Sequence, residues 1–187
     1  MTLSGDLWVF GYGSLMWRPG FPYVEARPAI LRGWHRAFCL WSLYWRGTPE
    51  RPGLVLGLDR GGSCRGLAFR VAAAEAAGAV EYLNERELVG YAYRARTLPV
   101  RLDGGEIDVP AYTFVADRRH RHFAGYLPLE RAAAVIMDAQ GVAGLNRDYL
   151  INTVRHLEQD GFVDQPLHDL LLEVERQTGL IERGAGI

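Results

Sequence analysis

Acids, arginines and one small-residue loop carry the chemical possibilities of this chain. All 21 basic residues are arginine, so Schiff-base and P-loop lysine chemistry are ruled out. Glu85-Arg86-Glu87 sets two carboxylates beside a guanidinium near the end of a helix-forming stretch. Helical residues two apart point to different faces, so only one of the two acids can turn inward. Glu87 lies four residues after Leu83 and shares its side, which makes it the less solvated acid. A carboxylate held near apolar walls binds its proton more tightly, as a general base near neutral pH requires. The competing explanation is a solvated face with ordinary ion pairs.

Gly11-Tyr12-Gly13-Ser14 follows a short apolar run. A dinucleotide fingerprint needs a third glycine where Met16 stands, and a Walker loop needs a lysine, so phosphate binding fails here. Two readings remain: backbone N–H groups converging on a carboxylate or carbonyl oxygen, or a plain turn at a strand end. Ser14 lacks the glycines of a nucleophile elbow, because Tyr12 and Met16 occupy those places. His120 and His122 form a His-x-His pair within a basic run and have no evident third ligand, so they read as a solvated loop. His35, His156 and His168 show no metal or triad spacing. Cys39 and Cys64 form neither a C-x-x-C pair nor a disulfide framework.

Several elements must position these groups. Residues 7–10 read as a buried strand feeding the glycine loop, and residues 29–44 as a second aromatic and aliphatic strand region broken by Gly33. Residues 54–58 and 66–71 flank Asp59-Arg60-Gly61-Gly62, turn chemistry that predicts a hairpin. Residues 91–102 and 107–115 flank Asp103-Gly104-Gly105 in the same way. Helical periodicity covers 72–88, with Val80, Leu83 and Leu88 on one face. It returns from Pro128, which suits a first helical turn, and continues through 147–159 and 166–177. Strands with one embedded helix, followed by a helical last third, predict an α+β fold with a mainly antiparallel sheet. The chain, 1–187, is expected to form a single domain. An apolar fraction of 49% supports a sizeable core, and a net charge of -1 gives no general attraction for nucleic acid or an anionic membrane. The first six residues lack a leader pattern, and no apolar stretch is long enough to span a membrane, so a reducing cytoplasm is expected.

In order, these segments resemble the ChaC-type γ-glutamylcyclotransferases, which act on glutathione. The resemblance is carried by Val9-Phe10-Gly11-Tyr12-Gly13-Ser14-Leu15-Met16-Trp17, by residues 33–39, by Arg46-Gly47-Thr48-Pro49-Glu50-Arg51-Pro52-Gly53, by Arg86-Glu87, and by residues 141–146 leading to Tyr149-Leu150. It implies a mixed sheet curled into a small barrel with surrounding helices. It also implies cleavage of glutathione to 5-oxoproline and cysteinylglycine, with no metal or cofactor, and the charge balance adds no nucleic acid or membrane partner. The family's catalytic glutamate falls on Glu87. Its substrate-binding positions fall on Tyr12, Gly13, Ser14, Leu15 and Tyr149, with Asn146 three residues before the tyrosine. Arg36 and Arg51 are charge-based candidates for the glycine-end carboxylate, against an ordinary structural role. Two alternatives stay open: turnover of another γ-glutamyl amine or amino acid, and a non-catalytic regulatory protein that keeps the fold.

Overall fold

Residues 5–88, 90 and 92–179 are described by a computed structural model of the chain. Five strands close into a barrel in the order β1 (Leu7–Gly11), β3 (Gly53–Val71), β2 (Glu25–Ser42), β4 (Tyr93–Leu102) and β5 (Asp108–Ala116). β1 runs antiparallel to β3, β2 to β4 and β4 to β5, while β1 and β5 pair in parallel. The fold is α+β and its barrel is mainly antiparallel, as expected. Closure removes the exposed sheet edges that would otherwise invite aggregation. β1 is short and unbroken in its apolar character because it is paired on both sides. Val9 and Phe10 are fully buried.

The expected hairpin at residues 59–62 is not a turn. β3 runs through it without interruption, and β2 likewise continues through Gly33. Gly33, Gly61 and Gly62 take positive φ, at 81°, 101° and 67°. Glycines at such φ bend a long strand where a barrel must curve, and in sequence this resembles turn chemistry. The hairpin expected around residues 103–105 is present: β4 and β5 pair from Tyr93↔Ala116 to Arg101↔Asp108. Tyr91, expected within that strand, lies outside the described residues.

The chain divides into two compact units, residues 1–36 with 57–121 and residues 37–56 with 122–187. In the first, α1 (Ala76–Glu87) buries Ala76, Ala79 and Leu83. Ala79 and Leu83 join Val9, Phe69, Val71 and Phe114 in one apolar cluster. Each large side chain buried there stabilises by about 1.5–3 kcal/mol. The predicted face is therefore shifted: Val80 is half-buried and Leu88 is 37% exposed.

The second unit holds α2 (Leu129–Asp138), a two-stranded ribbon of β6 (Gln140–Gly141) and β7 (Gly144–Leu145), α3 (Asn146–Gln159) and α4 (Gln165–Gln177). Pro128 stands at the N-cap of α2, one residue before the first turn in which it was expected. Asp164 caps α4 by accepting from the Leu167 N–H at 3.3 Å, with Pro166 in the first turn. Ile136, Leu150, Leu157 and Leu167 are buried and form helical stripes. None of the described helices is long and apolar enough to cross a membrane.

Candidate active site

β1 ends at Gly11 and the chain turns directly into a short 3₁₀ segment, Ser14–Met16. The turn is tight because β3 lies against it. A Cβ on Gly66 would sit 2.3 Å from the Gly11 carbonyl oxygen, so only glycine lets the two backbones approach this closely. The Met16 N–H donates to Gly13 O at 2.9 Å and the Arg18 N–H to Ser14 O at 2.8 Å. Tyr12 and Leu15 are buried, whereas Gly13 and Ser14 are half-exposed. Tyr12 O also accepts from Arg36 Nε.

Glu87 closes α1. Its side chain is 18% exposed, and Glu85, two positions back, is exposed. Burial raises the proton affinity of Glu87 above the ordinary carboxylate range, and the neighbouring Arg86 charge lowers it in part. A position at the carboxyl end of a helix also disfavours the anion. The geometry thus separates the two acids as helix facing predicted.

Arg86 ties this acid to the loop. Its Nε lies 3.1 Å from Glu87 Oε1. Nη2 donates to Ser14 Oγ at 2.9 Å, and Nη1 donates to Arg18 O at 2.6 Å and to the Tyr82 hydroxyl oxygen at 3.2 Å. One planar guanidinium therefore holds the helix end and the glycine loop in a fixed relation. One turn back from Glu87, Asn84 Oδ1 accepts from the Tyr112 hydroxyl at 2.6 Å.

In the second unit, Tyr149 is half-buried on α3, edge-on to Phe38 with ring centroids 5.6 Å apart. The Arg46 guanidinium lies 5.2 Å over its ring and donates to Ala143 O at 2.6 Å. Asn146 is fully buried: Oδ1 accepts from Leu54 N–H at 2.7 Å and Nδ2 donates to Leu54 O at 2.8 Å. Its amide ties α3 to the start of β3.

The ChaC-like protein family profile matches residues 7–177. The chain belongs to that family. It is 36% identical over 173 residues to the glutathione-specific gamma-glutamylcyclotransferase of Escherichia coli strain K12, covering 92% of this chain and 74% of that protein. It is 34% identical over 166 residues to glutathione-specific gamma-glutamylcyclotransferase 1 of Homo sapiens, covering 87% and 74%. A crystal structure of a yeast gamma-glutamyl cyclotransferase specific to glutathione superposes with a TM-score of 0.82 at 24% identity, covering 92% of this chain and 97% of that one. That likeness bears on the fold alone.

In this ChaC-like chain, Glu87, Tyr12, Gly13, Ser14 and Leu15 fall within the first unit and Tyr149 within the second. Arg36 does not present its charge to a ligand. It is 3% exposed and donates to Tyr12 O and Arg65 O, which is the structural role. Arg51 is an exposed partner of Asp138 at 3.5 Å. Among the described residues no cluster of His, Cys, Asp or Glu is arranged to hold a metal. Sequence reasoning missed Arg86 as a hub and the Asn84–Tyr112 bond. The available signal was helical spacing, since Tyr82 and Arg86 are four residues apart on α1.

Proposed function

We propose that this ChaC-like chain is a cytoplasmic, glutathione-specific γ-glutamylcyclotransferase with Glu87 as its general acid and base. The observation that carries the proposal is the Glu87 carboxyl, shielded from water at the end of α1 and tied through Arg86 to Ser14. The relatives from Escherichia coli and Homo sapiens, both named as glutathione-specific, supply the substrate class. Two buried cysteines suit a reducing compartment.

The γ-glutamyl α-ammonium is not a nucleophile until it loses a proton, and the ionised Glu87 carboxylate takes it. The freed amine attacks the γ-carbonyl of the same molecule, a closure favoured because both groups are already joined. The new C–N bond makes the five-membered lactam, and the bond to the cysteinyl nitrogen breaks. The attacking nitrogen gives up two protons and the departing nitrogen gains two, so no water enters. Because the nucleophile arrives with the substrate, no catalytic Ser, Cys or Lys is needed. Backbone N–H groups of Gly13, Ser14 and Leu15 hold oxygens of the γ-glutamyl unit beside Tyr12. The assignment of Tyr149 to substrate binding rests on the family resemblance.

Incubation of the purified chain with glutathione should release 5-oxoproline and cysteinylglycine in equal amounts. Turnover of γ-glutamyl amines without turnover of glutathione would overturn the specificity. Turnover of neither would overturn the activity.

A further inference from the structure

A concave surface on the first unit shares none of its lining residues with the Glu87 and glycine-loop cluster. It is a groove of about 620 Å³ lined by Arg60, Arg94, Arg96, Arg118 and Arg119 together with Trp34 and Asp117. Two of the five guanidinium groups are occupied. Arg94 Nε pairs with Asp117 at 2.7 Å, and Arg118 Nε with Asp59 at 2.6 Å. The Arg60 guanidinium stands 5.7 Å over the Trp34 ring. Among the described residues no carboxylate pairs with Arg60, Arg96 or Arg119, so three positive charges meet in one groove of a chain whose net charge is -1. Crowded like charges destabilise the empty protein, and an anion held among them relieves the repulsion.

The arrangement also limits what anion fits. Arg94 and Arg96 are two residues apart on β4 and so leave the same face about 7 Å apart at the backbone. Arg119 follows the end of β5, and Arg60 lies on β3. Positive groups drawn from three separate elements suit a chain of phosphates better than a single carboxylate, and planar guanidinium forks match phosphate oxygens two at a time. The Trp34 face beneath Arg60 adds an aromatic wall.

We propose that this groove is a binding site for a small molecule carrying a di- or triphosphate group, separate from the cyclotransferase site. It does not depend on which γ-glutamyl compound the enzyme turns over. The test is calorimetric titration with sodium tripolyphosphate and, in a second arm, adenosine triphosphate, at constant ionic strength because exposed charges are screened. Both arms should show one saturable site, weakened at least tenfold by Arg96→Ala with Arg119→Ala and largely restored by Arg96→Lys with Arg119→Lys. The exposed Arg32→Ala serves as a control for lost charge and should leave binding unchanged. Tighter binding of the nucleotide assigns Trp34 to a base, and equal binding confines recognition to the phosphate chain; both outcomes uphold the site. Absence of saturable binding, or an equal loss in Arg32→Ala, overturns it. A raised KM for glutathione in the double alanine variant overturns the separateness, because those arginines would then serve the substrate.

Discussion

Replacing Glu87 by Gln separates catalysis from stability in one change. The amide keeps the side-chain shape and still offers an oxygen to Arg86 Nε, 3.1 Å away in the native protein, but it cannot cycle a proton. Acid–base catalysis of this kind contributes about 10²–10⁴-fold. We therefore expect kcat to fall at least about 100-fold with KM for glutathione nearly unchanged. Stability moves in the other direction. Because burial holds the Glu87 carboxyl above its ordinary value of 4.5, the folded chain binds that proton more tightly than the unfolded chain. Between that ordinary value and the raised folded one, stability falls as pH rises; above both, the whole penalty of the buried charge is present. Glu87→Gln removes the penalty. Its melting midpoint at pH 7 should equal or exceed that of the parent, and the two should converge near pH 4. The parent's kcat/KM should rise with pH as Glu87 ionises, with its inflection above 4.5. Chromatographic detection of 5-oxoproline and thermal melts followed by circular dichroism measure both effects, with exposed Glu85→Gln staying within about twofold in kcat. Turnover lost in Glu85→Gln and kept in Glu87→Gln would refute the assignment. A midpoint lowered by more than about 4 °C, roughly 1–2 kcal/mol for a chain of this size, would instead mark the carboxylate as a structural anchor.

Other perturbations test the frame around that acid. Arg86→Ala removes the bonds to Ser14 Oγ and Arg18 O, and kcat/KM should fall roughly 10–100-fold through lost positioning. Because Arg86 lowers the Glu87 proton affinity, the pH inflection of this variant should move upward, a shift visible in its pH–rate profile. Asn146→Ala leaves the Leu54 N–H and C=O without their partner; urea unfolding should show a loss of about 2–4 kcal/mol. Gly66→Ala drives a methyl group to 2.3 Å from Gly11 O; it should lower the melting midpoint and also abolish turnover, because the strand end that carries the glycine loop must shift.

Much of this was legible in the chain itself, where local patterns were decisive. Leu83 and Glu87 share a helix face by spacing alone, and the structure buries the first and largely shields the second. The β4–β5 turn followed from Asp103-Gly104-Gly105. The glycines at 61 and 62 were misleading because the same positive φ serves a two-residue turn and a bend within a long strand; only closure of the barrel separates the two cases. Arg36 was open to the same ambiguity. An arginine that satisfies two backbone carbonyls and one that awaits a carboxylate look alike until burial is known. Asn146 became intelligible only once Leu54, 92 residues earlier, was seen to share its amide.

The two compact units are interleaved along the chain, since 37–56 and 122–187 make one and the flanking and intervening stretches make the other. During synthesis on the ribosome, residues 37–56 emerge long before the helices of their own unit, while residues 57–121 can already complete the first. No single cut therefore releases either unit as one contiguous fragment. Truncation after residue 121 would strand the segment that carries Leu54, which needs Asn146 to satisfy its backbone. Release of α4, which follows α3 and packs on α2 and α3, is therefore the earliest moment at which the second unit can close.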